Sequence, residues 1–243
     1  MKGKLLYSGK VKSLFETEDA LLLWEEFRDD TTAFDGEKHI QPMNKGAVAN
    51  QFSAWIYEKL HAAGVATHFV KRLSQTASLI KRLRMIPLEC VVRNIAAGSL
   101  CRRLGIEERL PLNAPLVEFF LKNDALHDPL ITEDHAQAFG WATSAELDQM
   151  RRISLSINAV LVPLFSSVGL ILVDAKYEFG LDASGTVCLG DEISPDSCRI
   201  WDGITHESLD KDVFRKDLAP LVPTYIKVAE RLGVTLDLVS LQA

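Results

Sequence analysis

The spacing of apolar positions changes character three times along the chain. Over 5–17, LLYSGKVKSLFET splits into two short apolar runs around Gly9, and ALLLWEEF at 20–27 is a third run that ends in the acidic RDD. This predicts strand, turn, strand and an antiparallel N-terminal sheet. From Lys45 onward Val48, Phe52, Trp55, Ile56 and Leu60 follow helical spacing, with Gly64 placed as a stop. That helix is expected to cover one face of the sheet. The stretch 65–99 then alternates short apolar runs with basic residues, and Pro87 interrupts it as a strand connector would. A hinge at Met85 to Leu88 divides the chain into an N-terminal part, 1–85, and a larger C-terminal part, 86–243.

In the second part AAGSLCRRLG reads as a short helix closed by Gly105, and residues 110–134, acidic and carrying prolines, read as an irregular surface loop. Thr143 and Glu146 have capping-box spacing, and Leu147, Met150, Ser154, Ile157, Leu161 and Leu164 continue as a helical stripe that Pro163 should distort. A last helix is expected over 221–232, ending at Gly233. Between these helices, residues 169–202 form a hairpin about the turn DASG, with Ile171, Val173, Ala175, Tyr177 and Phe179 on one face and Asp174, Lys176 and Glu178 on the other. Pairing symmetric about that turn puts Leu189 opposite Glu178 and Asp191 opposite Lys176; a slip of one residue would undo this. The fold class is α+β, with no internal repeats.

Composition narrows the function classes. A chain of 243 residues that is 47% hydrophobic can bury a large core and is not a disordered segment. Its net charge of -6 argues against a duplex nucleic-acid binder. No apolar run approaches the roughly 20 residues of a membrane span, and the lysine-punctuated N-terminus is unlike a signal peptide, so the cytoplasm is the expected compartment. Cys90, Cys101, Cys188 and Cys198 fit neither a metal pair nor a disulfide framework and are expected as reduced thiols. The histidines form no zinc motif.

Three sets of residues offer chemistry. Glu178 and Asp191 on one rigid hairpin suit Mg²⁺, which takes only one or two protein carboxylates and completes its shell with phosphate and water; a solvated, ion-paired strand face is the plainer alternative. Lys10 and Lys12 flank a glycine turn and could meet phosphates, or be ordinary surface lysines. Arg93, Ser99 and Arg199 could hold a second anion. The four tryptophans read as packing.

The fragments LVDAKYEFG and GDEISPDSCRIWD resemble the signature of the SAICAR synthetase family, the phosphoribosylaminoimidazole succinocarboxamide synthetases. YSGKVKSLF, FRDDTTAFDG, NKGAVANQFS, IPLECVVRNIAAGSLCRRLGI and LKNDALHDPLI agree in order and spacing, so the resemblance runs from about Leu6 to Gly233 and is nearest to the short bacterial single-function form. It implies two subdomains around a kinase-like ATP cleft and a homodimer. The implied ligase joins carboxyaminoimidazole ribonucleotide to L-aspartate at the expense of ATP. Carried over by position, Lys10 and Lys12 resemble phosphate contacts, and Lys81 with Met85 to Leu88 the adenine wall, while Lys122 falls on the nucleotide side. Glu178 and Asp191 resemble the Mg-ATP ligands, and Glu89 and Asp128 a second carboxylate pair facing the imidazole carboxylate. Arg93, Ser99, Asp196 and Arg199 resemble binders of the ribonucleotide's phosphate and ribose. Asp174 and Lys176 fall where the reacting groups meet, and Asp35, Lys38 and Arg215 where aspartate would bind. Ala175, Tyr177 and the GKVK turn depart from the family pattern, at packing positions.

The residue types suit such a reaction. Attack of a carboxylate on ATP brings anions together, so Mg²⁺ and cationic side chains must offset their repulsion; Lys176 would stabilise the transferring phosphoryl group, and Asp174 would position a metal or accept a proton. Two rival readings remain at this stage: a small-molecule kinase using the same cleft on a hydroxyl, and a catalytically silent nucleotide-binding module.

Overall fold

In the first turn of the chain the Gly9 N–H donates to the Lys12 carbonyl at 2.8 Å, which folds β1 (Leu5–Ser8) back on β2 (Lys12–Glu16). β3 (Leu22–Phe27) pairs with β2, and β7 (Ala77–Lys81) and β6 (Phe69–Arg72) extend the sheet to five strands in the order β1-β2-β3-β7-β6. A separate ribbon pairs β4 (Thr31–Ala33) with β5 (Lys38–Ile40). The computed structural model describes residues 1–33 and 37–239. Asp35 lies outside them.

Helix α1 (Lys45–Ala62) follows the predicted periodicity, and Gly64 beyond it takes a left-handed φ of 79°. Its own N-cap, Asn44, makes no side-chain cap. The carboxylate of Asp29 does so instead, accepting from the Gly46 N–H at 2.9 Å and the Asn44 N–H at 3.2 Å. The α1 side chains Phe52, Ile56 and Leu60 are fully buried in a core that also takes Leu88, Cys90, Tyr177 and Phe179 from the second sheet, so this helix ties both sheets together.

That second sheet is built on two long strands, β8 (Arg84–Ile95) and β11 (Leu170–Leu181); with β9 (Pro111–Leu121), β10 (Leu130–Ile131) and β12 (Val187–Gly190) the order is β10-β9-β8-β11-β12, and β13 (Cys198–Asp202) also pairs with β11. Every strand pairing within the sheets is antiparallel. With α2 (Ser99–Leu104), α3 (Glu133–Ala138), α4 (Ser144–Ser166), α5 (Asp212–Arg215) and α6 (Leu221–Arg231), this is the expected mixed helix-and-sheet architecture, including a curled half-barrel sheet. Helix α4 starts at the capping box: Thr143 Oγ1 accepts from the Glu146 N–H at 3.2 Å, and the Thr143 N–H donates to Glu146 Oε2 at 2.7 Å. It continues through Pro163 for three more residues. The four cysteines are free and buried.

Four expectations are corrected. Residues 110–134 are not a loop: they form β9 (Pro111–Leu121) and the two-residue β10 (Leu130–Ile131). The prolines concealed the strand, yet β10 reaches only Phe119 and Phe120, so the outer edge of β9 before them is open, where a missing N–H is harmless. Met85 to Leu88 is not a connector but part of β8, with Pro87 in the irregularity where the register to β11 jumps between Glu178↔Glu89 and Gly180↔Met85. The hairpin register is one residue off the symmetric expectation, with Phe179 opposite Leu189 and Glu178 opposite Gly190. The reason is a three-residue loop: the Asp182 N–H donates to the Thr186 carbonyl at 3.0 Å, and Gly185 turns the chain with φ 81°. Finally, β11 does not keep one apolar face. At the irregularity between Leu172 and Asp174, Ile171 and Val173 turn to a small cluster with Ala97 and Trp201, while Leu172, Ala175, Tyr177 and Phe179 face the main core.

Candidate active site

Beyond that irregularity β11 carries Asp174, Lys176 and Glu178 on one face, as the alternation predicted. Each meets a different environment because β8 and β13 pair on either side. Asp174 lies opposite Arg93 of β8 and Arg199 of β13. Its Oδ2 accepts from Arg93 Nη1 at 3.0 Å and from Arg199 Nη1 at 2.5 Å. Burial raises its pKa although both guanidiniums pull the other way. Arg93 also donates from Nε to Glu118 Oε2 at 2.5 Å and from Nη2 to Ser99 Oγ at 3.1 Å, so Arg93, Ser99 and Arg199 are brought together as expected. Gly98 permits this closeness, since a Cβ there would lie 2.8 Å from Arg199 Nη2. On its other side Arg199 Nε donates to Asp212 Oδ2 at 3.2 Å, and Arg215 Nη1 donates to Asp212 Oδ1 at 2.7 Å. Burial works against the Asp212 charge, but Arg199 and Arg215 hold its pKa down to about 2. A cavity of about 640 Å³ opens beside Arg199 and Asp212, reaching Arg109, Trp201, His206 and Lys216.

Two residues further along β11, lysines replace arginines. Lys176 Nζ donates to Glu89 Oε1 at 2.5 Å and lies 3.4 Å from Glu178 Oε1, while Lys122 Nζ bonds Glu178 Oε2. Glu89 and Glu178 are direct cross-strand partners and both buried. Like charges so placed repel, and Lys176 and Lys122 offset that repulsion. Burial raises the Glu89 carboxyl, with the Glu178 and Asp128 charges adding to the rise against Lys176. Burial disfavours the Lys176 ammonium, but Glu178, Glu89 and Asp191 outweigh it and raise its pKa, so it stays a cation. Asp128, in a left-handed conformation with φ 45°, accepts the Asn123 N–H at 2.7 Å.

Asp191 arrives by a different route from the one predicted. It lies past the end of β12 (Val187–Gly190), turned out of the strand by φ 57°; Tyr57 Oη holds its carbonyl, and its carboxylate meets Lys12 Nζ. Lys12, Lys176 and Lys122 overcome burial and depress its pKa. Lys12 is itself enclosed, 3.4 Å from Glu25 and 3.8 Å from Glu192, while Lys10 reaches across to Asp124 at 2.8 Å. The glycine turn of the first sheet thus abuts the carboxylate cluster of the second. Burial, against the pull of Lys12, raises Glu25 to about 7.

Not every predicted residue joins these groups. Met85 is exposed and Lys81 half-buried, but Leu88 is wholly buried, so its side chain belongs to the core and not to a cleft wall. Asp196 faces inward: one oxygen takes the Tyr225 hydroxyl and the other pairs with Lys45 Nζ, a lysine with no exposed side-chain surface. Lys38 donates to the Phe214 carbonyl and to Asp217 Oδ1, both at 2.6 Å, which sets the β4–β5 ribbon beside Arg215. Sequence reasoning missed Glu25, Arg28, Lys45, Glu118, Glu192 and Asp212. Glu118 sat in a stretch read as loop; Glu25, Lys45 and Glu192 are single charges whose partners lie far away in sequence, and Arg28 and Asp212 each join a near neighbour to groups brought up by the fold.

The model of the SAICAR synthetase family matches residues 5–232. The phosphoribosylaminoimidazole-succinocarboxamide synthase of Coxiella burnetii is 63% identical over 97% of this chain and 98% of its own length, and that of Hahella chejuensis is 58% identical over 94% and 97%. Among solved structures, the Ehrlichia chaffeensis synthase superposes with a TM-score of 0.93 at 40% identity, covering 96% of this chain and all of that one. A SAICAR synthetase in complex with ADP superposes with a TM-score of 0.92 at 41% identity, over 96% and 99%.

Proposed function

The chain belongs to the SAICAR synthetase family and is an ATP-dependent carbon–nitrogen ligase of purine biosynthesis, and on that premise we propose that β11 lays out its substrates along one strand face. The observation that carries this reading is the order Asp174, Lys176, Glu178, with arginine forks at one end and lysines among carboxylates at the other. Residues two apart on a strand are about 7 Å apart, so the three positions span about 13 Å. Arg93, Ser99 and Arg199 take the phosphate of carboxyaminoimidazole ribonucleotide. Its carboxylate lies near Lys176, and the ATP phosphates reach the same point from Lys10 and Lys12.

A carboxylate oxygen of the ribonucleotide attacks the γ-phosphorus, the bond to the β-phosphate oxygen breaks, and ADP leaves. The L-aspartate amine, having lost a proton, then attacks the acyl carbon, phosphate departs, and the amide is SAICAR. Lys176 is held as a cation and offsets charge on the transferring phosphoryl group. Asp174 gives Oδ2 to both arginines, which supports a role in orienting them. Lys38, which bonds the Phe214 carbonyl, and Arg215, the next residue along from Phe214, are assigned to aspartate, with Asp35 outside the described residues.

The donor set fits Mg²⁺. Glu178 with Asp191, and Glu89 with Asp128, offer only carboxylate oxygens. Mg²⁺ takes only one or two such protein oxygens and draws its other ligands from phosphate and water. When bound, the ion supplies charge neutralisation at the phosphates. We assign nucleotide contacts to residues 1–85, joined by Lys122, and metal and ribonucleotide contacts to 86–243. Lys81 and Met85 lie on the adenine side. Asp196, turned inward, serves the ribonucleotide by anchoring the loop before β13. The family resemblance supports a cytoplasmic homodimer, which light scattering on the purified chain tests; among the described residues no helix is long and apolar enough to cross a membrane.

The deciding experiment follows ADP release from Mg-ATP and carboxyaminoimidazole ribonucleotide with and without L-aspartate. ADP that depends on aspartate and matches the succinocarboxamide formed is the expected result. ADP formed with a hydroxylated acceptor and no need for aspartate would return the kinase reading, which the relatives do not favour.

A further inference from the structure

Arg28, just past β3, uses all five of its N–H donors. Nη1 donates to Ser8 Oγ at 3.1 Å and Ser13 Oγ at 2.6 Å, and Nη2 donates to the Gly9 carbonyl at 2.5 Å and the Lys10 carbonyl at 3.1 Å. Nε donates to Asp30 Oδ2 at 2.8 Å. The Arg28 N–H also donates to the Val11 carbonyl at 2.8 Å. One side chain therefore ties down both flanks and the crown of the β1–β2 turn. By taking the carbonyls of Gly9 and Lys10 on its own side, it fixes the peptide planes of the turn. A glycine turn left free would lose conformational entropy on closing around a phosphate, and this one has already lost it. Asp30 extends the arrangement: its Oδ1 takes His39 Nε2 at 2.9 Å and Gln41 Nε2 at 2.7 Å, so the same carboxylate that holds Arg28 holds the β4–β5 ribbon.

We propose that Arg28 is the positioning residue of the triphosphate site, which it serves without touching the nucleotide, and that Asp30 couples the phosphate turn to the β4–β5 ribbon. This rests on the reading above that the turn with Lys10 and Lys12 receives the ATP phosphates. The guanidinium fork is essential to it, because an ammonium cannot reach two hydroxyls, two carbonyls and a carboxylate from one point.

The test is the affinity of the purified chain for ADP and for adenosine, by calorimetry, in four variants. Arg28→Gln is expected to weaken ADP at least tenfold and leave adenosine within twofold, since only ADP carries phosphates to the turn. Arg28→Lys should not restore ADP binding, and Asp30→Asn should weaken it several-fold with Tm near wild type, which keeps the proposal testable should Arg28→Gln fold poorly. Lys12→Met serves as the control on the underlying reading. If Lys12→Met weakens ADP but Arg28→Gln and Asp30→Asn do not, or if ADP and adenosine weaken together in the Arg28 and Asp30 variants, the positioning role is overturned and the phosphate site stands. If Lys12→Met leaves ADP unchanged, the turn is not the phosphate site and both fall.

Discussion

The two ends of the β11 face bury charge in different ways. At the Asp174 end the cations are guanidiniums whose planar forks are already shared among Asp174, Glu118, Ser99 and Asp212, with Arg93 4% exposed. At the Glu178 end they are ammoniums on flexible stems, and the side chains of Lys122 and Lys176 remain 47% and 35% exposed. Arginine holds a planar geometry, whereas lysine acts as a point charge that can move aside. On the proposed reading the first end receives one anion in one place, and the second exchanges its lysines for other cations, because a carboxylate pair facing each other across two strands needs a cation or a proton to offset its repulsion.

The most severe break in this contrast is expected at the exchangeable end. Asp191→Asn should lower kcat by about 10²- to 10³-fold, by analogy with removal of a single electrostatic contact at other reacting centres, while circular dichroism and Tm stay near wild type. A wild-type rate at saturating Mg²⁺ would remove Asp191 from the site. At the fixed end, Arg199→Ala should raise the ribonucleotide KM roughly 30-fold or more, since truncating one partner of a buried pair costs about 2 kcal/mol upward, with the KM for ATP little changed. Arg199→Lys should recover little of that, and full recovery would show that a point charge suffices there.

A pH experiment sharpens the comparison without touching either set of proposed ligands. Asp210 is raised to about 6 by burial and then by the neighbouring Asp212 charge. An acid raised in the folded state favours folding while protonated, so its contribution is complete below the ordinary aspartate value near 4. It is lost as the pH climbs through about 6. In thermal unfolding Asp210 should contribute a loss on the order of 2 kcal/mol over that interval, and Asp210→Asn should remove that share of the slope, leaving the share that Glu25, raised to about 7, contributes. Asp212, held low, has the opposite sign, and its contribution disappears only as pH falls through about 2. The smallest effect is predicted for Lys122→Met. Releasing Glu178 from a half-exposed lysine should lower the Mg²⁺ concentration needed for half-maximal rate two- to threefold. An increase would mean that Lys122 helps hold the nucleotide more than it competes with the ion.

Legibility in the sequence followed the range of the interactions. Helices α1, α4 and α6 were readable because their apolar period, the Thr143 capping box and the stopping glycines are local. The alternation of Asp174, Lys176 and Glu178 was readable for the same reason. β9 was not, because whether Pro115 is tolerated depends on which edge of the strand is left open. The hairpin register was not, because one left-handed glycine converts a two-residue turn into a three-residue one.

The sequence by itself determined helices α1, α2, α4 and α6, the β11 face, the residue types of the site and, through long blocks that resemble one family, the kind of chemistry to expect. Tertiary structure alone decided which charges meet. Lys12 finds Asp191 across 179 positions, Arg93 finds Asp174 across 81, and Asp196 turns inward to Lys45. It also decided that Arg28 encloses the first turn. Propensity and period act over a few residues along the chain, whereas Coulomb and hydrogen-bond energies depend on distances in space, and those exist only once the two sheets have packed around α1.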